Sequence, residues 1–569
     1  MLSRPTPLTH DLLLMLARRA SRQTSLGRRR LTSVVGAPGQ GVSGARRGEI
    51  QWLHLRLTVL SGAKMYMSIL CFAIYLASAG AQLRSEVVLA PLFSDHAVFQ
   101  QKMPVAVWGR SDPGESIHVV FADQSHRTLA DREGRWKLSL EPMDACPVPR
   151  RLVIQGKNTV VVNDILIGDV WLCSGQSNMA WSVGASESPE AEVAAGNWPL
   201  IREFKVGLTT AGDIQDDVAG SWSICNPRTV SSFSAVGYHF ARELHSSLGV
   251  PVGIINCTFG GSAIEAWLSP KALNSRTKLS AVVAARWHQA IAEVTIEQRE
   301  AHERELAEWK RKADAAVLTP AEMAPPRPWP PPGPGSFQAP ASLYHGMLSP
   351  LVPYSIKGTL WYQGEANATR SSEYAELFAA LIVSWREEFG QGDFPFLWVQ
   401  LPNFRVRTDA SGRNWARLRE AQSTALRLPA TGQAVSIDIG EPDSIHPLNK
   451  QEVGRRLALI AKATVYRIAV EHRGPRPDRV EREGAAIRIH FSDTGGELTA
   501  DTPTLQSFEL LGEDHRLHPA FAVIEGNTML VRSPQVPTPT EVRYAWTNCP
   551  DARLYNRDGL PAAPFRIGL

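Results

Sequence analysis

The chain has 569 residues, of which 44% are hydrophobic, so it is long enough to bury more than one hydrophobic core. Its 60 basic and 56 acidic residues leave a formal net charge of +4, which is too small to indicate binding to nucleic acid or steering of a polyanion. Basic residues are concentrated near the amino terminus, where acidic residues are scarce, and the remaining chain is therefore close to neutral.

Residues 65–81 have the pattern of a signal peptide. Lys64 precedes an apolar run of about ten residues, which is short for a membrane span, and small residues suitable for a signal peptidase follow it. We therefore expect a secreted or periplasmic protein that begins near Gln82 and has no membrane attachment after cleavage. Residues 1–64 would then be an extension without a structural role, or lie before the true start. A longer membrane-anchored leader is the alternative, although Arg56 and Lys64 interrupt its apolar run.

The hydrophobic pattern changes twice along the remaining chain. Short alternating runs at residues 82–164 predict an N-terminal β-sandwich domain. At residues 165–470, apolar strands alternate with amphipathic helices, which is typical of a parallel sheet covered by helices on both faces. A charged helical stretch and a proline-rich run at about 286–340 predict a surface insertion in this domain. Alternation returns at residues 471–569 and predicts a C-terminal β-rich region.

The predicted elements of the α/β domain follow the period of its apolar residues and the glycines after its helices. Active residues are expected at the carboxyl ends of the parallel strands. The predicted strands are 170–173, 252–257, 357–362, 396–401 and 434–437, and the predicted helices are 233–248, 373–389 and 451–465.

The first of these strands ends in the polar turn Cys173-Ser-Gly-Gln-Ser-Asn-Met179. A serine at the carboxyl end of a parallel strand is exposed at the sheet edge, where its hydroxyl and its own N–H can both reach one substrate carbonyl. Ser177 is therefore a candidate nucleophile, and its N–H is a candidate oxyanion-hole donor. For this loop taken alone, a turn serine that caps a helix is the more common explanation.

Two further loops follow the second and third strands. The pair Gly260-Gly261 allows a backbone N–H to point into a crowded site, which makes Gly261 a candidate oxyanion donor, although such a pair is more often only a turn. The third strand is followed by Gln363, Glu365 and Asn367. Three polar side chains at this edge suggest support for a reaction, and an Asx-type turn with surface residues is the alternative.

The last predicted strand leads to Asp443 and His446, which are three residues apart. At this spacing a carboxylate can orient an imidazole and stabilise its cation. Half of a metal site is the alternative, but no second histidine or cysteine cluster stands near it, so we predict no metal there. The four loops together fit acyl transfer, in which Ser177 attacks an ester carbonyl and His446 takes its proton. The oxyanion would be held by the N–H groups of Ser177 and Gly261, with Asn367 or Gln363.

These loops together resemble the SGNH (GDSL-like) hydrolase superfamily, and within it the branch of sialate O-acetylesterases and carbohydrate acetylesterases. The resemblance covers about residues 89–459. It implies a flavodoxin-like three-layer α/β/α catalytic domain, no cofactor, and removal of acetyl groups from sugar hydroxyls, with O-acetylated sialic acid as the substrate of the sialate esterases. The residues that carry it are Gly175-Gln-Ser-Asn-Met179, Gly260-Gly-Ser262 with Glu265-Ala-Trp267, Trp361-Tyr-Gln-Gly-Glu365 with Asn367, and Asp443 with His446.

The resemblance also bears on the supporting residues. In related carbohydrate esterases a glutamate in the position of Glu365 has been considered as the acidic member of the triad, and we favour Asp443 for that role here. Gln176, Trp267 and Arg405 are candidate substrate-binding residues. A tryptophan suits stacking on a sugar, although a buried core tryptophan is an equally good explanation, and an arginine suits the carboxylate of a sialic acid.

Three other functions are alternatives to this prediction. The substrate could be acetylated xylan or another acetylated polysaccharide, which requires the same chemistry. A secreted carbohydrate-binding protein with a silent hydrolase domain is a different class, and the presence of Ser177, Asp443 and His446 argues against it. A lipase or thioesterase on the same fold would need a more apolar entrance than these polar loops suggest.

Overall fold

The structure is a computed structural model that describes residues 86–316 and 328–569. The predicted signal peptide at residues 65–81, and the extension before it, lie outside these ranges. The described residues belong to one compact unit. Within them, none of the helices combines the length and the apolar character that crossing a membrane requires.

The amino-terminal part is built from short strands that alternate buried and exposed residues, as the sequence predicted. Val105–Arg110 and Ser116–Phe121 show this alternation most clearly, because every second residue faces the core. Three strands form a small sheet, and the others join the large central sheet. The strands are Val88–Leu89, Val98–Gln100, Val105–Arg110, Ser116–Phe121, Gln124–Leu129, Arg135–Leu140 and Cys146–Gln155.

One long strand, Thr159–Gly175, connects this part to the rest of the molecule. Its first half pairs antiparallel with Cys146–Gln155, and its second half pairs in parallel with Val252–Thr258 on one side and Gly358–Tyr362 on the other. The predicted boundary between residues 164 and 165 therefore lies inside a continuous strand. The sequence pattern changes at this point because the strand passes from a partly exposed region into the fully buried centre of the sheet.

The central sheet carries the predicted parallel strands. Two antiparallel strands at one edge of this sheet, Trp198–Val206 and Gly220–Cys225, were not predicted. The first contains three charged residues and the second has few apolar ones, so neither has the pattern of a buried strand. The last predicted strand ends at Ala434 instead of beginning there. From one edge to the other, the order is Gly220–Cys225, Trp198–Val206, Val252–Thr258, Thr159–Gly175, Gly358–Tyr362, Phe396–Val399 and Thr431–Ala434.

The three predicted helices are confirmed as Ala235–Leu248, Ser371–Phe389 and Lys450–Thr464. The first two end at glycines with positive φ, as expected for helix C-caps. The first and third pack against each other, while Ser371–Phe389 packs against Asn414–Ser423. The other helices are Ser177–Ala180, Pro189–Ala194, Pro270–Asn274, Thr277–Ala292 and Ile296–Ala316, with short 3-10 or π turns at Val183–Ala185, Val230–Ser232, Ile264–Trp267, Tyr344–Leu348, Ser349–Leu351, Glu365–Arg370 and Thr424–Arg427.

The predicted insertion begins inside the helix Thr277–Ala292 and contains the helix Ile296–Ala316, and its described proline-rich part, residues 328–340, has neither helix nor strand. The proline rings explain this, because they remove backbone donors and disfavour a helix.

The carboxyl-terminal region is rich in β structure and has a hydrophobic core of its own. A seven-stranded antiparallel sheet forms most of it, with a two-stranded sheet beside it. The molecule is therefore an α/β protein with a large sheet-rich carboxyl-terminal region. The strands are Arg476–Glu483, Ala486–Ser492, Leu498–Ala500, Thr504–Gly512, Leu517–Glu525, Thr528–Arg532, Pro539–Tyr544, Leu554–Asn556 and Phe565–Gly568.

Candidate active site

Ser177 and His446 meet at the carboxyl edge of the central sheet. Ser177 begins the short helix Ser177–Ala180, immediately after the long strand. His446 lies in the loop before the helix Lys450–Thr464, and its Nε2 is 2.8 Å from Ser177 Oγ. The two residues are 269 positions apart in the chain, so the fold rather than local sequence creates this contact. A histidine at this distance can accept the proton of a serine that attacks a carbonyl.

The imidazole of His446 is held from one side by an aromatic ring. Trp181 stacks on it with a distance of 4.6 Å between ring centroids and an angle of 20° between the planes. Partial burial, together with the positive charge of Lys450, lowers the pKa of His446 below its ordinary value. The ring is consequently neutral at neutral pH and free to act as a base.

Asp443 does not contact His446 in the structure, although the sequence analysis predicted that it would. Its carboxylate accepts a 2.8 Å hydrogen bond from Arg405 and lies 3.5 Å from Arg407. Its side chain is 62% exposed, because the loop turns it toward solvent. Among the described residues, no carboxylate forms a hydrogen bond or ion pair with His446.

Glu365, the other predicted acid, lies instead in a buried chain of hydrogen bonds. Asn178 Nδ2 donates to Glu365 Oε1 at 2.6 Å and to the carbonyl of Ile445 at 2.9 Å. Lys450 Nζ donates to Asn178 Oδ1 at 2.6 Å. Burial raises the pKa of Glu365 and lowers that of Lys450 to about 7.

Asn178 and Lys450 were not identified from the sequence. Asn178 stands next to the candidate nucleophile, but a neighbouring position alone does not distinguish a structural asparagine from a turn residue. Lys450 follows the helix cap Asn449, where a lysine usually faces solvent. Only the structure shows that both side chains are fully buried.

Residues 259–262, here called the glycine loop, pass close to Ser177. A Cβ on Gly260 would lie 3.7 Å from Cβ of Ser177, whereas a Cβ on Gly261 would face the ring of Phe337. Within the described parts of the chain, the N–H groups of Ser177, Gly260 and Gly261 have no hydrogen-bond acceptor. Gly260 therefore lies next to the nucleophile, and the N–H groups of both glycines are free of acceptors among the described residues.

Gln363 and Asn367 are used differently from the predicted oxyanion donors. Both are fully buried. Gln363 Nε2 donates to the carbonyl of Ser262 at 3.1 Å and to Asn367 Oδ1 at 2.8 Å, so both of its amide hydrogens are engaged. Asn367 Oδ1 also accepts from the N–H of Ile264 at 3.0 Å, and its Nδ2 donates to Glu265 at 2.9 Å. The two amides anchor the chain that follows the glycine loop.

Comparison with known proteins places this site in a family. A family model described as "Carbohydrate esterase, sialic acid-specific acetylesterase" matches residues 167–313 and 335–462, which include Ser177 and His446. A solved structure, described as a novel carbohydrate acetylesterase from Xanthomonas citri, is 38% identical, covers 85% of this chain and 99% of its own, and superposes with a TM-score of 0.72. The chain belongs to this family of carbohydrate esterases. It is a carboxylic ester hydrolase.

Curated relatives of this esterase extend over nearly the same length. The sialate O-acetylesterase of Rattus norvegicus is 28% identical over 526 residues, which are 83% of this chain and 93% of the relative. The sialate O-acetylesterase of Homo sapiens is 27% identical over 521 residues, with 82% and 90% covered. The similarity therefore extends over most of this chain and most of each relative.

The three predicted substrate-binding residues of the esterase lie in different environments. Trp267 is fully buried, donates from Nε1 to Ser262 Oγ at 2.9 Å, and meets Trp361 edge-on, so it is a core residue and has no face free for a sugar. Gln176 precedes the nucleophile, and its Nε2 has no partner among the described residues. Arg405 is 56% exposed and pairs with Asp443.

The insertion of the esterase folds back onto the glycine loop. Phe337 stacks on Phe259 at 4.9 Å with 21° between the ring planes, and Gln338 Nε2 donates to the carbonyl of Gly261 at 2.8 Å. Arg286 also bridges Glu265 and Glu373 at the base of this region. The insertion thus forms a wall beside the loop that offers the backbone N–H groups.

Neither a disulfide nor a cluster of metal-binding side chains occurs among the described residues. The five described cysteines are free thiols, of which three are buried. No group of three or more His, Cys, Asp or Glu side chains that could hold a metal ion occurs at residues 86–316 or 328–569.

Proposed function

We propose that this esterase removes acetyl groups from O-acetylated sugars, with O-acetylated sialic acid as its substrate, through an acetyl-enzyme on Ser177. The observation that carries the proposal is the 2.8 Å contact between His446 Nε2 and Ser177 Oγ at the carboxyl edge of the sheet. A neutral imidazole at this distance is suited to take the serine proton as the hydroxyl attacks an ester.

The reaction then has two balanced halves. Ser177 Oγ bonds to the acetyl carbon while His446 accepts its proton, and the N–H groups of Ser177 and of the glycine loop stabilise the negative oxygen. The bond to the sugar oxygen breaks, and His446 returns the proton to that oxygen. Water then attacks the acetyl carbon while His446 takes a proton from it, the bond between that carbon and Ser177 Oγ breaks, His446 returns the proton to Oγ, and acetic acid leaves.

For the acidic partner of His446 we propose Asp443. It shares a short loop with His446, and its ion pairs with Arg405 and Arg407 are exposed, so exchanging them for the imidazole costs little free energy. Glu365 Oε1 is already engaged by Asn178. Catalytic hydrogen bonds often form fully only when substrate is bound.

The choice of sugar rests on two observations. The curated relatives are sialate O-acetylesterases, and exposed guanidinium groups at Arg405 and Arg407 suit the carboxylate of a sialic acid. The second candidate is another acetylated sugar, such as a xylan fragment, because the more similar solved structure is described only as a carbohydrate acetylesterase.

We further propose that the α/β part has the three-layer SGNH arrangement and that the protein is secreted or periplasmic. The parallel sheet, with its helices packed in pairs, supports the first point. The signal-like pattern at residues 65–81 supports the second.

Acetate release tests the proposal. Protein starting at Gln82 is incubated in parallel with O-acetylated sialic acid and with acetylated xylo-oligosaccharides. We expect release from the sialic acid, and Ser177→Ala should lower it by several orders of magnitude because the nucleophile is lost. The matched control is Ser247→Ala, an exposed serine on the helix Ala235–Leu248, which should leave the rate unchanged.

The other outcomes are equally informative. Release mainly from the xylan fragments would keep the mechanism and replace the substrate. No release from either substrate, with sugar binding retained, would contradict the proposal in favour of a non-catalytic binding protein.

A further inference from the structure

A buried lysine lies behind the catalytic pair. Lys450 is fully buried, and its Nζ donates to Asn178 Oδ1 at 2.6 Å while lying 5.5 Å from the centre of the Tyr362 ring. Removing a lysine from water is costly, so a buried ammonium is rare unless it is paired or functional. No carboxylate forms an ion pair with it among the described residues.

Asn178 connects the two loops that carry Ser177 and His446. It follows Ser177 in the chain, and its Nδ2 donates to the carbonyl of Ile445, the residue before His446, at 2.9 Å. The same nitrogen donates to Glu365 Oε1 at 2.6 Å. Both hydrogens of the amide are therefore engaged, and the oxygen is held by Lys450, so the side chain has one allowed orientation.

We propose, on the basis of the esterase function above, that Lys450 is a positioning residue. Through Asn178, it keeps Ser177 and His446 at hydrogen-bonding distance. Lys450 fixes the amide oxygen of Asn178, and the amide hydrogens then fix the loop that carries His446. Without the lysine, the amide can rotate and release the carbonyl of Ile445. A displacement of about 1 Å in a catalytic pair can lower a rate by about 100-fold.

The charge of Lys450 also reaches His446. It lowers the pKa of His446, which adds to the effect of burial. The charged groups that influence Lys450 itself are Glu365 and Glu441, and its own pKa is about 7, so it is charged on the acidic side of neutrality. His446 works as a base only when neutral, and a lower pKa therefore extends activity to lower pH.

The test compares two substitutions at this position with a matched lysine. Lys450→Met removes both the donor and the charge, whereas Lys450→Gln removes the charge and keeps an N–H donor on a side chain one bond shorter. Lys462→Met is the control, because Lys462 lies on the same helix and pairs with Glu243 away from the site. The readouts are kcat, KM and the pH profile of kcat/KM on p-nitrophenyl acetate, with melting temperature measured for each variant.

We expect Lys450→Met to lower kcat by about 10- to 100-fold with little change in KM. Its acidic limb should move to higher pH, because that limb reports the pKa of His446 in the free enzyme. Lys450→Gln should show the same upward shift with a smaller loss of kcat, and it carries the test if the methionine variant does not fold. Lys462→Met should change neither quantity.

Unchanged kcat and an unchanged acidic limb in both Lys450 variants, with only a lower melting temperature, would overturn the inference and leave Lys450 a structural residue. If the unsubstituted protein released no acetate from the aryl ester or from acetylated sugars, the proposed function would fail and the inference with it. The two failures are therefore distinguished by the activity of the unsubstituted protein.

Discussion

At the residue scale, neither of the two candidate acids contacts the imidazole of His446. Asp443 is three residues from His446 but bonds to Arg405, and Glu365 is buried but bonds to Asn178. The sequence spacing favoured Asp443 because it is close to His446 along the chain. It could not indicate the direction of the side chain, because that direction depends on arginines that approach from another loop.

We predict that Asp443→Asn lowers kcat/KM by about 100- to 10,000-fold, because the imidazole loses the carboxylate that orients it during the reaction. Arg405→Met should have a much smaller effect on an uncharged aryl ester, since its exposed ion pair contributes little free energy. The measurement is steady-state kinetics on that ester for Asp443→Asn, Arg405→Met and Glu365→Gln. A larger loss in Glu365→Gln than in Asp443→Asn would assign the acidic role to Glu365.

The sequence predicted those parts of the candidate site that lie just after predicted strands. Ser177 and His446 follow predicted strands, and the structure brings them into contact. Trp267 and Gln363 also follow predicted strands, yet they are buried and bonded internally. Burial depends on what packs over a loop, and a local pattern does not contain that information.

At the scale of elements, Gly175 determines how the nucleophile turn meets the next strand. Its φ is +127°, and a Cβ there would collide with the carbonyl oxygen of Tyr362. Only glycine allows the end of the long strand to lie this close to Gly358–Tyr362. The strand positions were predictable because their apolar residues form continuous runs. The close approach of Gly175 to Tyr362 was not, because the two residues are almost 200 positions apart in the chain.

We predict that Gly175→Ala destabilises the protein by about 3 kcal/mol or more, because it combines an unfavourable φ with a backbone collision. Gly249→Ala is the matched control: this glycine also has a positive φ, of +69°, but nothing lies within 4 Å of an added Cβ. Gly249→Ala should lower the free energy of unfolding by about 1–2 kcal/mol, because only the left-handed backbone conformation is unfavourable there. Denaturant unfolding measures both, and equal losses would show that the collision is relieved by a small movement of the strands.

At the scale of the whole molecule, one buried arginine joins the α/β part to the carboxyl-terminal region. Arg419, on the helix Asn414–Ser423, is fully buried and donates to the carbonyls of Leu401 and Pro402 at 2.7 Å. It also donates to those of Thr547 and Asn548 at 2.8 Å. Burial lowers its pKa to about 9. The sequence did not predict this connection, because a local pattern does not show which arginine is buried between two regions.

We predict that Arg419→Met lowers the free energy of unfolding by about 3–5 kcal/mol, because four buried carbonyls lose their donor. Unfolding followed by tryptophan fluorescence should then show the carboxyl-terminal region separating before the α/β part. The control is Arg566→Met, which removes an exposed ion pair with Glu420 and a cation–π contact 5.1 Å from the centre of the Trp546 ring, and should cost no more than about 1–2 kcal/mol. A single transition with an unchanged midpoint in Arg419→Met would contradict a joining role for this side chain.

The long strand Thr159–Gly175 has an evolutionary consequence. Because its first half completes the amino-terminal strands and its second half ends at the nucleophile turn, joining two unrelated genes inside it would separate Ser177 from its support. We therefore expect the amino-terminal strands and the catalytic part to be inherited together. Domain shuffling could add or replace material at the outer ends of the chain or in the insertion, but not at this junction.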